Sequence, residues 1–345
     1  MAGGDTPRLK TGVLGVIKLS VTEARTLIEG ALVGAGAAPE RTGYFADAIL
    51  DTELSGLEGH GFYWLQFYCA HLRSGKVDGA AEPRVERLSD TAFRVDAANG
   101  FAHPAIEAGF KRLIPAAKKY GVAAMAVHRS YNAATLGYHT GVLAKEGLVA
   151  LGATNSVPAI APVGGNKPVI GTNPISFAVP GRPGEIAFLI DQSASAIAWT
   201  AVKRAAEENR PIPVGWALDA NGNDTTDARK GLEGSMAPAG GAKGFGIGLM
   251  VEVLCAALAG GVLGPDMGSF VEDDGKPIGN GQFFVAFEPG MFSGDVFAKR
   301  IEALCASIGA QEVPNARRTA NKARLEAEGL PIERSLYERL QAYRR

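Results

Sequence analysis

The feature that most constrains this chain is one long apolar segment. Residues 244–263 are almost wholly apolar and long enough to span a lipid bilayer. Glu252 lies in the middle of the segment, however, and five glycines dilute it. Nothing else in the sequence resembles a membrane protein. The segment therefore predicts a helix buried on nearly all sides in the core of a large protein.

Composition narrows the function classes. The chain has 345 residues, 46% of them hydrophobic, and a formal net charge of −1. A nucleic-acid-binding surface would need clustered Lys and Arg and a high pI, so a nucleic-acid partner is not expected. A membrane partner is not expected either. The N-terminus lacks the pattern of a signal peptide. Cys69, Cys255 and Cys305 are far apart and odd in number, which favours reduced thiols in a cytoplasmic protein, and no His/Cys spacing indicates a metal site.

Hydrophobic periodicity indicates an α/β protein. Helices are predicted after the Ser20/Glu23 capping box, from Arg41 to Leu57, from Pro104 to Gly121 and from Tyr138 to Glu146, with an amphipathic helix at the C-terminus. Strands are predicted at Val122–Val127, Leu148–Ala153, Ile175–Val179 and Ile186–Ile190. No repeat or low-complexity linker divides the chain. It is therefore expected to form one α/β fold with interleaved lobes.

A Rossmann dinucleotide-binding fold is not indicated. Its glycine motif must follow a strand and open a helix. Gly34 and Gly36 follow a predicted helix, and the glycines at 244, 246 and 248 lie inside a helical run. A phosphate-binding P-loop is also absent from the sequence.

Two residues stand out as candidates for acid–base chemistry. His60 lies between glycines where the second predicted helix breaks, and a histidine on a loop held by a rigid scaffold is a candidate for proton transfer. Asp191 ends an apolar run, where a carboxylate is costly unless it is paired. It either caps a helix, since Ser193 and Ser195 follow, or is the partner of a histidine, in which case it fixes the tautomer of the ring and stabilises the imidazolium.

Several glycine-rich polar stretches are candidates for cofactor binding. The stretches are residues 154–156, 162–165 and 171–174. Two such stretches directly after predicted strands are able to present N–H groups to phosphate or ribose, although ordinary turns explain each stretch equally well. Lys243 opens the apolar helix, where the helix dipole disfavours a cation. It is therefore expected either to face an anion such as a pyrophosphate or to extend into water.

These pieces, in this order, resemble the malate/L-lactate dehydrogenase family of the second, non-Rossmann type. The matching stretches are Gly59–Gly61, Asn99–Phe101, Ser130–Tyr138, Thr154–Ser156, Gly164–Gly165, Gly171–Ile175, Asp191, Ile212–Trp216 and Pro238–Gly244. They span roughly residues 20 to 320, and their collinear order is more specific than any one of them alone.

The resemblance implies a sulfolactate-dehydrogenase-like α/β fold with a mixed, largely antiparallel central sheet and flanking helices. It also implies NAD or NADP as cofactor, a small-molecule substrate and a homodimer. By position, His60 resembles the family's proton donor and Asp191 the carboxylate that orients it. A helical substrate and dimer lobe is expected over about 1–120 with helices at 315–345, and a cofactor lobe over about 121–314.

The resemblance further assigns binding residues. Substrate contacts are expected at Trp64, Asn132 and Pro158. Cofactor contacts are expected at Asn132, Ala133, Ala134, Thr135, Leu136, Gly171, Thr172, Asn173, Pro174, Lys243, Gly244, Pro314, Asn315, Ala316 and Arg317. Arg182 is added from its charge alone, as a contact for the 2′-phosphate of NADP.

Three positions depart from the family pattern. Gly59 stands in place of the serine before the histidine, Trp64 in place of an arginine that binds the substrate carboxylate, and Asn132 in place of a second histidine. An indole cannot replace a bidentate guanidinium. The hydride-transfer machinery therefore looks retained, whereas the substrate pocket has changed.

Two classes of function follow. The first is an NAD(P)H-dependent oxidoreductase that reduces a 2-oxo acid or a cyclic imino acid with His60 as proton donor. The second is a repurposed, non-catalytic member that binds a nucleotide or small acid. Trp64 favours a bulkier or more apolar substrate, but the residues do not separate oxo acids from imines.

Overall fold

The centre of the molecule is a mixed seven-stranded sheet. The computed structural model describes residues 15–57, 59–273 and 275–344. The strand order is β2-β3-β4-β10-β5-β6-β7, and only β3 and β4 are parallel neighbours. These strands are β2 (Arg84–Arg87), β3 (Ala92–Asp96), β4 (Val122–Ser130), β5 (Val149–Thr154), β6 (Ile175–Pro180), β7 (Ile186–Gln192) and β10 (Asn280–Phe287). The expected mixed, largely antiparallel sheet is confirmed.

Helices flank this sheet. They are α1 (Val21–Ala35), α2 (Gly43–Leu54), α3 (Phe62–Ser74), α4 (Ala102–Tyr120), α5 (Leu136–Lys145), α6 (Trp199–Glu207), α7 (Ala228–Glu233), α8 (Ala242–Glu252), α9 (Pro289–Ser293), α10 (Val296–Ile308), α11 (Ala316–Glu328) and α12 (Arg334–Tyr343). Helices α4 and α5 share an apolar core with strands β3, β4, β5 and β10. A second core joins α1, α2, α3 and α12.

The two ends of the described chain meet in a small sheet. Strand β1 (Val16–Leu19) pairs antiparallel with β11 (Leu330–Glu333), and a further short pair joins β8 (Ala217–Leu218) to β9 (Ser235–Met236). Helices from both ends of the sequence therefore pack into one layer. The lobe boundaries expected from the sequence stay a prediction.

Local sequence signals explain both ends of α1. The capping box is present at α1, because Ser20 accepts the Glu23 N–H while the Glu23 carboxylate accepts the Ser20 N–H. Gly36, with a φ of 120°, ends that helix. The second predicted helix, Arg41–Leu57, is shorter in the structure and runs from Gly43 to Leu54. This matters for the site, since the residues left over form the His60 loop.

The apolar segment 244–263 departs from the expectation. Helix α8 ends at Glu252 and continues as a π-helical turn, Val253–Leu258, and one face of both is exposed rather than buried. The exposed side chains are Leu249 (47%), Met250 (57%), Val253 (54%) and Leu258 (62%). The expectation of burial on nearly all sides was wrong because composition does not tell what covers each face of a helix. None of the helices in the described ranges is long and apolar enough to cross a membrane.

Candidate active site

His60 lies in the short connection between α2 and α3. Its backbone N–H donates to the carbonyl oxygen of Leu57 at 2.9 Å. The indole N–H of Trp64, one turn into α3, donates to the carbonyl oxygen of Gly59 at 2.9 Å. The residues on both sides of His60 are therefore tied to neighbouring backbone and side-chain groups, which restricts the positions that its ring can adopt.

Two charged groups act on the His60 ring. Burial lowers the pKa of His60 below its usual 6.5; the negative charge of Asp191 opposes this shift and the positive charge of Arg318 adds to it. Burial and Arg318 therefore favour loss of the proton from the His60 ring, while Asp191 favours its retention. Asp191, which the sequence predicts as the partner of His60, is thus close enough for its charge to act on the His60 ring.

Asp191 lies near the end of strand β7, and its carboxylate lies at the first turn of α5. Its Oδ2 atom accepts the N–H of Gly137 at 3.1 Å and a guanidinium N–H of Arg318 at 3.3 Å. A helix N-terminus stabilises a negative charge. The two interpretations of Asp191, helix cap and histidine partner, are therefore compatible, although the helix it caps is not the one that follows it in sequence.

Arg318 is the functional candidate that sequence reasoning did not assign to the site. It lies on α11, which docks against the end of α2: Asn321 Nδ2 donates to the Ser55 carbonyl oxygen at 3.2 Å, and Lys322 forms an ion pair with Asp51. Arg318 and Asp191 are separated by 127 residues. The only signal in the sequence was that a buried carboxylate requires a partner.

The 132–136 segment connects β4 to α5 and is followed directly by Gly137, whose N–H donates to Asp191. Its backbone is fixed by buried neighbours, since His139 Nε2 is 2.9 Å from the Ala133 carbonyl oxygen. The hydroxyls of Thr135 and Thr52 are 2.6 Å apart, which joins the segment to α2. The residues assigned to the cofactor therefore lie beside the helix that leads into the His60 loop.

Asn132 is the first residue of this segment and is half-buried. Its Oδ1 atom accepts the N–H of Ala134, which has a φ of 53°. Because the amide oxygen is engaged within the loop, the amide N–H₂ group is the part of Asn132 suited to a ligand. An amide donates a hydrogen bond but does not supply a proton.

The 171–174 segment is built around Asn173. Its Nδ2 atom donates to Glu252 Oε2 at 2.8 Å, and its Oδ1 atom accepts the Ser156 N–H at 3.1 Å. Glu252, which interrupts the long apolar segment, therefore anchors a predicted cofactor loop. A buried carboxylate in an apolar helix already indicated some polar partner, but not which one.

The remaining predicted cofactor segments contact β7 or the residues that directly follow it. The Ala194 N–H donates to the Thr172 carbonyl oxygen at 2.7 Å, and the Leu189 N–H donates to the Pro314 carbonyl oxygen at 3.3 Å. A Cβ atom on Gly244 would lie 2.9 Å from the Ala194 carbonyl oxygen. Segments 171–174, 243–244 and 314–317 are thus brought together around β7.

The N-terminus of α8 fits a phosphate group. No side chain caps this helix, and Lys243 in its first turn is exposed. Gly240 and Gly241 both have positive φ, and a Cβ atom on either would meet no other atom within 4 Å. Uncapped N–H groups, an open glycine approach and an adjacent ammonium group are the features that bind the anionic part of a dinucleotide.

Arg182 lies apart from this cluster. It is exposed in the turn that joins β6 to β7, at the end opposite Asp191. At the usual rise of a strand, the start of β7 at Ile186 is about 17 Å from Asp191. A role for Arg182 therefore requires an extended ligand along the hairpin, and its assignment to the 2′-phosphate stays a prediction.

The predicted substrate contacts are only partly accessible. Trp64 is 9% exposed and its ring packs against Phe67 and Phe270. Pro158 is half-buried in the connection between β5 and β6. Substrate contact by either residue stays a prediction. Among the described ranges, no group of three or more His, Cys, Asp or Glu side chains is arranged to hold a metal ion.

Comparison with known proteins identifies one family. A model of the malate/L-lactate dehydrogenase family matches residues 19–341. A (2R)-3-sulfolactate dehydrogenase (NADP(+)) from Chromohalobacter salexigens is 42% identical, covering 94% of this chain and 97% of that protein. A Δ1-pyrroline-2-carboxylate reductase from Burkholderia multivorans is 36% identical, covering 95% and 98%. The crystal structure of Δ1-piperideine-2-carboxylate reductase from Pseudomonas syringae superimposes with a TM-score of 0.88 at 35% identity, covering 95% and 99%.

Proposed function

The chain belongs to the malate/L-lactate dehydrogenase family, and we propose that it reduces a 2-oxo acid or a cyclic imino acid with NADPH or NADH. Relatives named for a 3-sulfolactate substrate and for cyclic imino acids support this range. Both substrate types have a polar double bond next to a carboxylate. The name of the first relative favours NADP(H) as the cofactor.

The observation that carries the proposal is the arrangement of His60, Asp191 and Arg318 beside the 132–136 segment. When bound, the reduced nicotinamide supplies a hydride to the carbon of the C=O or C=N group. His60 then donates the proton to the oxygen or nitrogen. Asp191 stabilises the charged imidazolium, and Arg318 limits that stabilisation so that the proton is released.

Binding of the cofactor is proposed for the segments that surround β7. Lys243 and the N-terminus of α8 bind the pyrophosphate, while the 132–136 and 171–174 segments hold the nicotinamide and ribose. Segment 314–317, which bonds to β7 through the Pro314 carbonyl oxygen, would supply further contacts to the cofactor. Arg182 contacts the 2′-phosphate of a dinucleotide that extends along the β6–β7 hairpin.

The substrate pocket is proposed to be more apolar than the family pattern. Trp64 supplies no guanidinium, so the loss of a charged hydrogen bond weakens carboxylate binding by about 1.5–3 kcal/mol unless another cation replaces it. Asn132 and Pro158 complete the predicted contacts. A bulky or cyclic substrate with apolar carbon gains most from such a pocket.

We also propose a homodimer in a reducing cytoplasm. The exposed apolar stripe of Leu249, Met250, Val253 and Leu258 supports an interface, because isolated monomers rarely expose contiguous apolar patches of this kind. The three cysteines are free thiols, and Cys69 and Cys255 are buried. Both features suit a reduced, oligomeric enzyme.

The experiment is to measure NADH and NADPH oxidation with a panel of 2-oxo acids and cyclic imines, for the native protein and for His60→Asn. We expect turnover of at least one substrate by the native protein. His60→Asn is expected to lose turnover but still to bind NADPH, which is detected as a change in NADPH fluorescence. Retained turnover would remove His60 from its role. No turnover by the native protein, with tight binding of another ligand, would favour the repurposed, non-catalytic alternative.

A further inference from the structure

The loop that carries His60 is held by a side chain that no sequence pattern indicated. Glu53 lies in the last full turn of α2 and is 5% exposed. Its Oε1 atom accepts the backbone N–H of Phe62, the first residue of α3. The carboxylate thus bonds the chain two residues beyond His60 and lies at the N-terminus of α3, where the helix dipole favours a negative charge.

The same carboxylate also determines what residue can stand next to His60. A Cβ atom built on Gly61 would lie 2.0 Å from Glu53 Oε1 and 2.5 Å from its carboxyl carbon. No real atoms approach so closely, so any side chain at position 61 displaces either Glu53 or the loop. A side chain at position 61 would therefore move the Glu53 carboxylate away from the Phe62 N–H, so glycine at this position keeps that hydrogen bond in place.

A second contact holds the opposite side of the loop. The indole N–H of Trp64 donates to the Gly59 carbonyl oxygen at 2.9 Å, while the Trp64 backbone N–H donates to the Gly61 carbonyl oxygen at 3.1 Å. His60 thus lies between two residues, Gly59 and Gly61, that have no side chains and are each bonded to α3. Glycines alone leave a backbone free to move, so these bonds supply the rigidity that the sequence lacks.

We propose that Glu53 is a positioning residue for the proton donor: its carboxylate, together with the Trp64 indole, holds the Gly59–Gly61 segment and so fixes the place of the His60 ring within the field of Asp191. The inference rests on the proposed function, because it presumes that His60 transfers the proton. Proton transfer depends steeply on geometry, and a displacement of about 1 Å costs up to about a hundredfold in rate.

The test compares Glu53→Gln with Glu53→Ala. The glutamine amide retains an oxygen that accepts the Phe62 N–H, whereas alanine leaves that N–H without its partner. Glu53→Ala is expected to lower kcat by about ten- to a hundredfold. Its Kd for NADPH is expected to be unchanged. Glu53→Gln is expected to restore kcat to within about threefold of the native value, since positioning requires the hydrogen bond more than the charge.

Trp64→Phe provides an independent variant that keeps the aromatic packing but removes the N–H. It is expected to lower kcat and to shift the pH above which kcat for reduction falls, because the His60 ring is held less firmly in the field of Asp191. If Trp64 acted only through the substrate, the change would instead appear in KM for the substrate. Because the ring is retained, this variant is expected to fold even where Glu53→Ala does not.

Ser20→Ala is the matched control. It also removes an acceptor from a helix N-terminus, at α1, and lies far along the chain from the site. Its Tm is expected to fall, because a helix N-cap is lost. Its kcat and its pH profile are expected to match those of the native protein, which separates positioning from general stability.

The two hypotheses fail in distinguishable ways. If His60→Asn retains turnover, the proposed role of His60 is wrong. If His60→Asn is inactive while Glu53→Ala and Trp64→Phe keep native kcat and an unchanged pH profile, the positioning role alone is overturned. Equal losses in Glu53→Gln and Glu53→Ala would also contradict it, since the retained acceptor would then make no difference.

Discussion

The guanidinium of Arg318 lies 3.3 Å from the carboxylate of Asp191, and both side chains are largely withdrawn from solvent, at 21% and 10% exposure. This ion pair joins the end of β7 to α11. The same carboxylate oxygen accepts the Gly137 N–H. The Asp191 carboxylate thus interacts with the Arg318 cation and with the N-terminus of α5, and its charge also acts on His60. A change at Arg318 or Gly137 therefore alters how strongly Asp191 stabilises the His60 imidazolium.

The first prediction concerns the pKa of His60. Asp191→Asn is expected to lower it further, because Asp191 opposes the effect of burial, whereas Arg318→Gln is expected to raise it. The measurement is the titration of the His60 ring by NMR, with His60→Asn to assign the signal. Shifts in the same direction for both variants would contradict this arrangement.

The same pKa sets the pH dependence of the reaction. Reduction uses the protonated ring, so kcat/KM for reduction is expected to rise as the pH falls through a pKa below 6.5. The reverse reaction uses the neutral ring and is expected to show the opposite limb. In Arg318→Gln the pH dependence of both the forward and the reverse reaction is expected to move to higher pH, because Arg318 no longer lowers the pKa of His60.

The second prediction concerns Gly137. A Cβ atom there would lie 2.8 Å from Asp191 Oδ2 and 2.8 Å from Leu189 Cδ2. Gly137→Ala is therefore expected to displace Asp191, with a loss of about 1–3 kcal/mol in the free energy of unfolding. A decrease in kcat of about tenfold or more is expected as well.

Gly43→Ala is the control for this substitution. Gly43 also lies in the first turn of a helix, α2, but a Cβ atom there meets no other atom within 4 Å. Alanine is expected to be neutral or to stabilise by up to about 1 kcal/mol. Equal effects of the two substitutions, measured by urea unfolding, would show that the contact with Asp191 is not the cause.

The third prediction concerns acid stability. His103 is fully buried, neither ring nitrogen has a hydrogen-bond partner among the described residues, and its ring stacks on Phe45. Burial holds the pKa of His103 well below 6.5. The unfolded chain therefore binds a proton that the folded chain does not, so stability is full above pH 6.5 and falls by about 1.4 kcal/mol per pH unit below it.

His103→Leu is expected to remove this contribution. The decrease in unfolding free energy between pH 7 and pH 5 becomes smaller than in the native protein, although the absolute stability at pH 7 changes through packing. His128, which is half-buried, serves as the comparison: His128→Gln is expected to change the slope less, because the partly exposed ring is protonated at less cost. An unchanged slope in His103→Leu would contradict the assignment.

The fourth prediction concerns the apolar stripe of α8. Met250→Glu places an unpaired charge in the proposed interface and is expected to convert a dimer to a monomer. The molar mass is measured by sedimentation equilibrium or by light scattering after size exclusion. Leu88→Glu is the control, since Leu88 is 53% exposed and follows β2, which is an edge strand of the central sheet. A native protein that is already monomeric, or a Met250→Glu protein that stays dimeric, would contradict an interface at this stripe.

Much of the site was predictable because its pieces are local patterns. The glycines around His60 mark a loop, the apolar run before Asp191 marks a strand that ends in a charge, and the 171–174 segment has the composition of a turn. Each is encoded within a few neighbouring residues. The order of these motifs also identified the family, and hence the mixed, largely antiparallel sheet.

The partners of these residues were not predictable in the same way. Arg318 meets Asp191 only because α11 docks on the end of α2, and Glu252 meets Asn173 only because α8 packs behind the 171–174 segment. Glu53 looked like an ordinary helix residue until the turn after α2 brought it to Gly61. Separation along the chain gives no signal for such contacts.

The sequence by itself determined the class of fold and the family and singled out His60 as the candidate proton donor, because these depend on periodicity, composition and the order of local motifs. Only the tertiary structure decided which side chains hold the His60 loop and which face of the apolar helix stays exposed. The physical reason is that burial and pairing are properties of surfaces brought together in space. The strength of a charge, a cap or an apolar stripe is fixed by what the folded chain places against it.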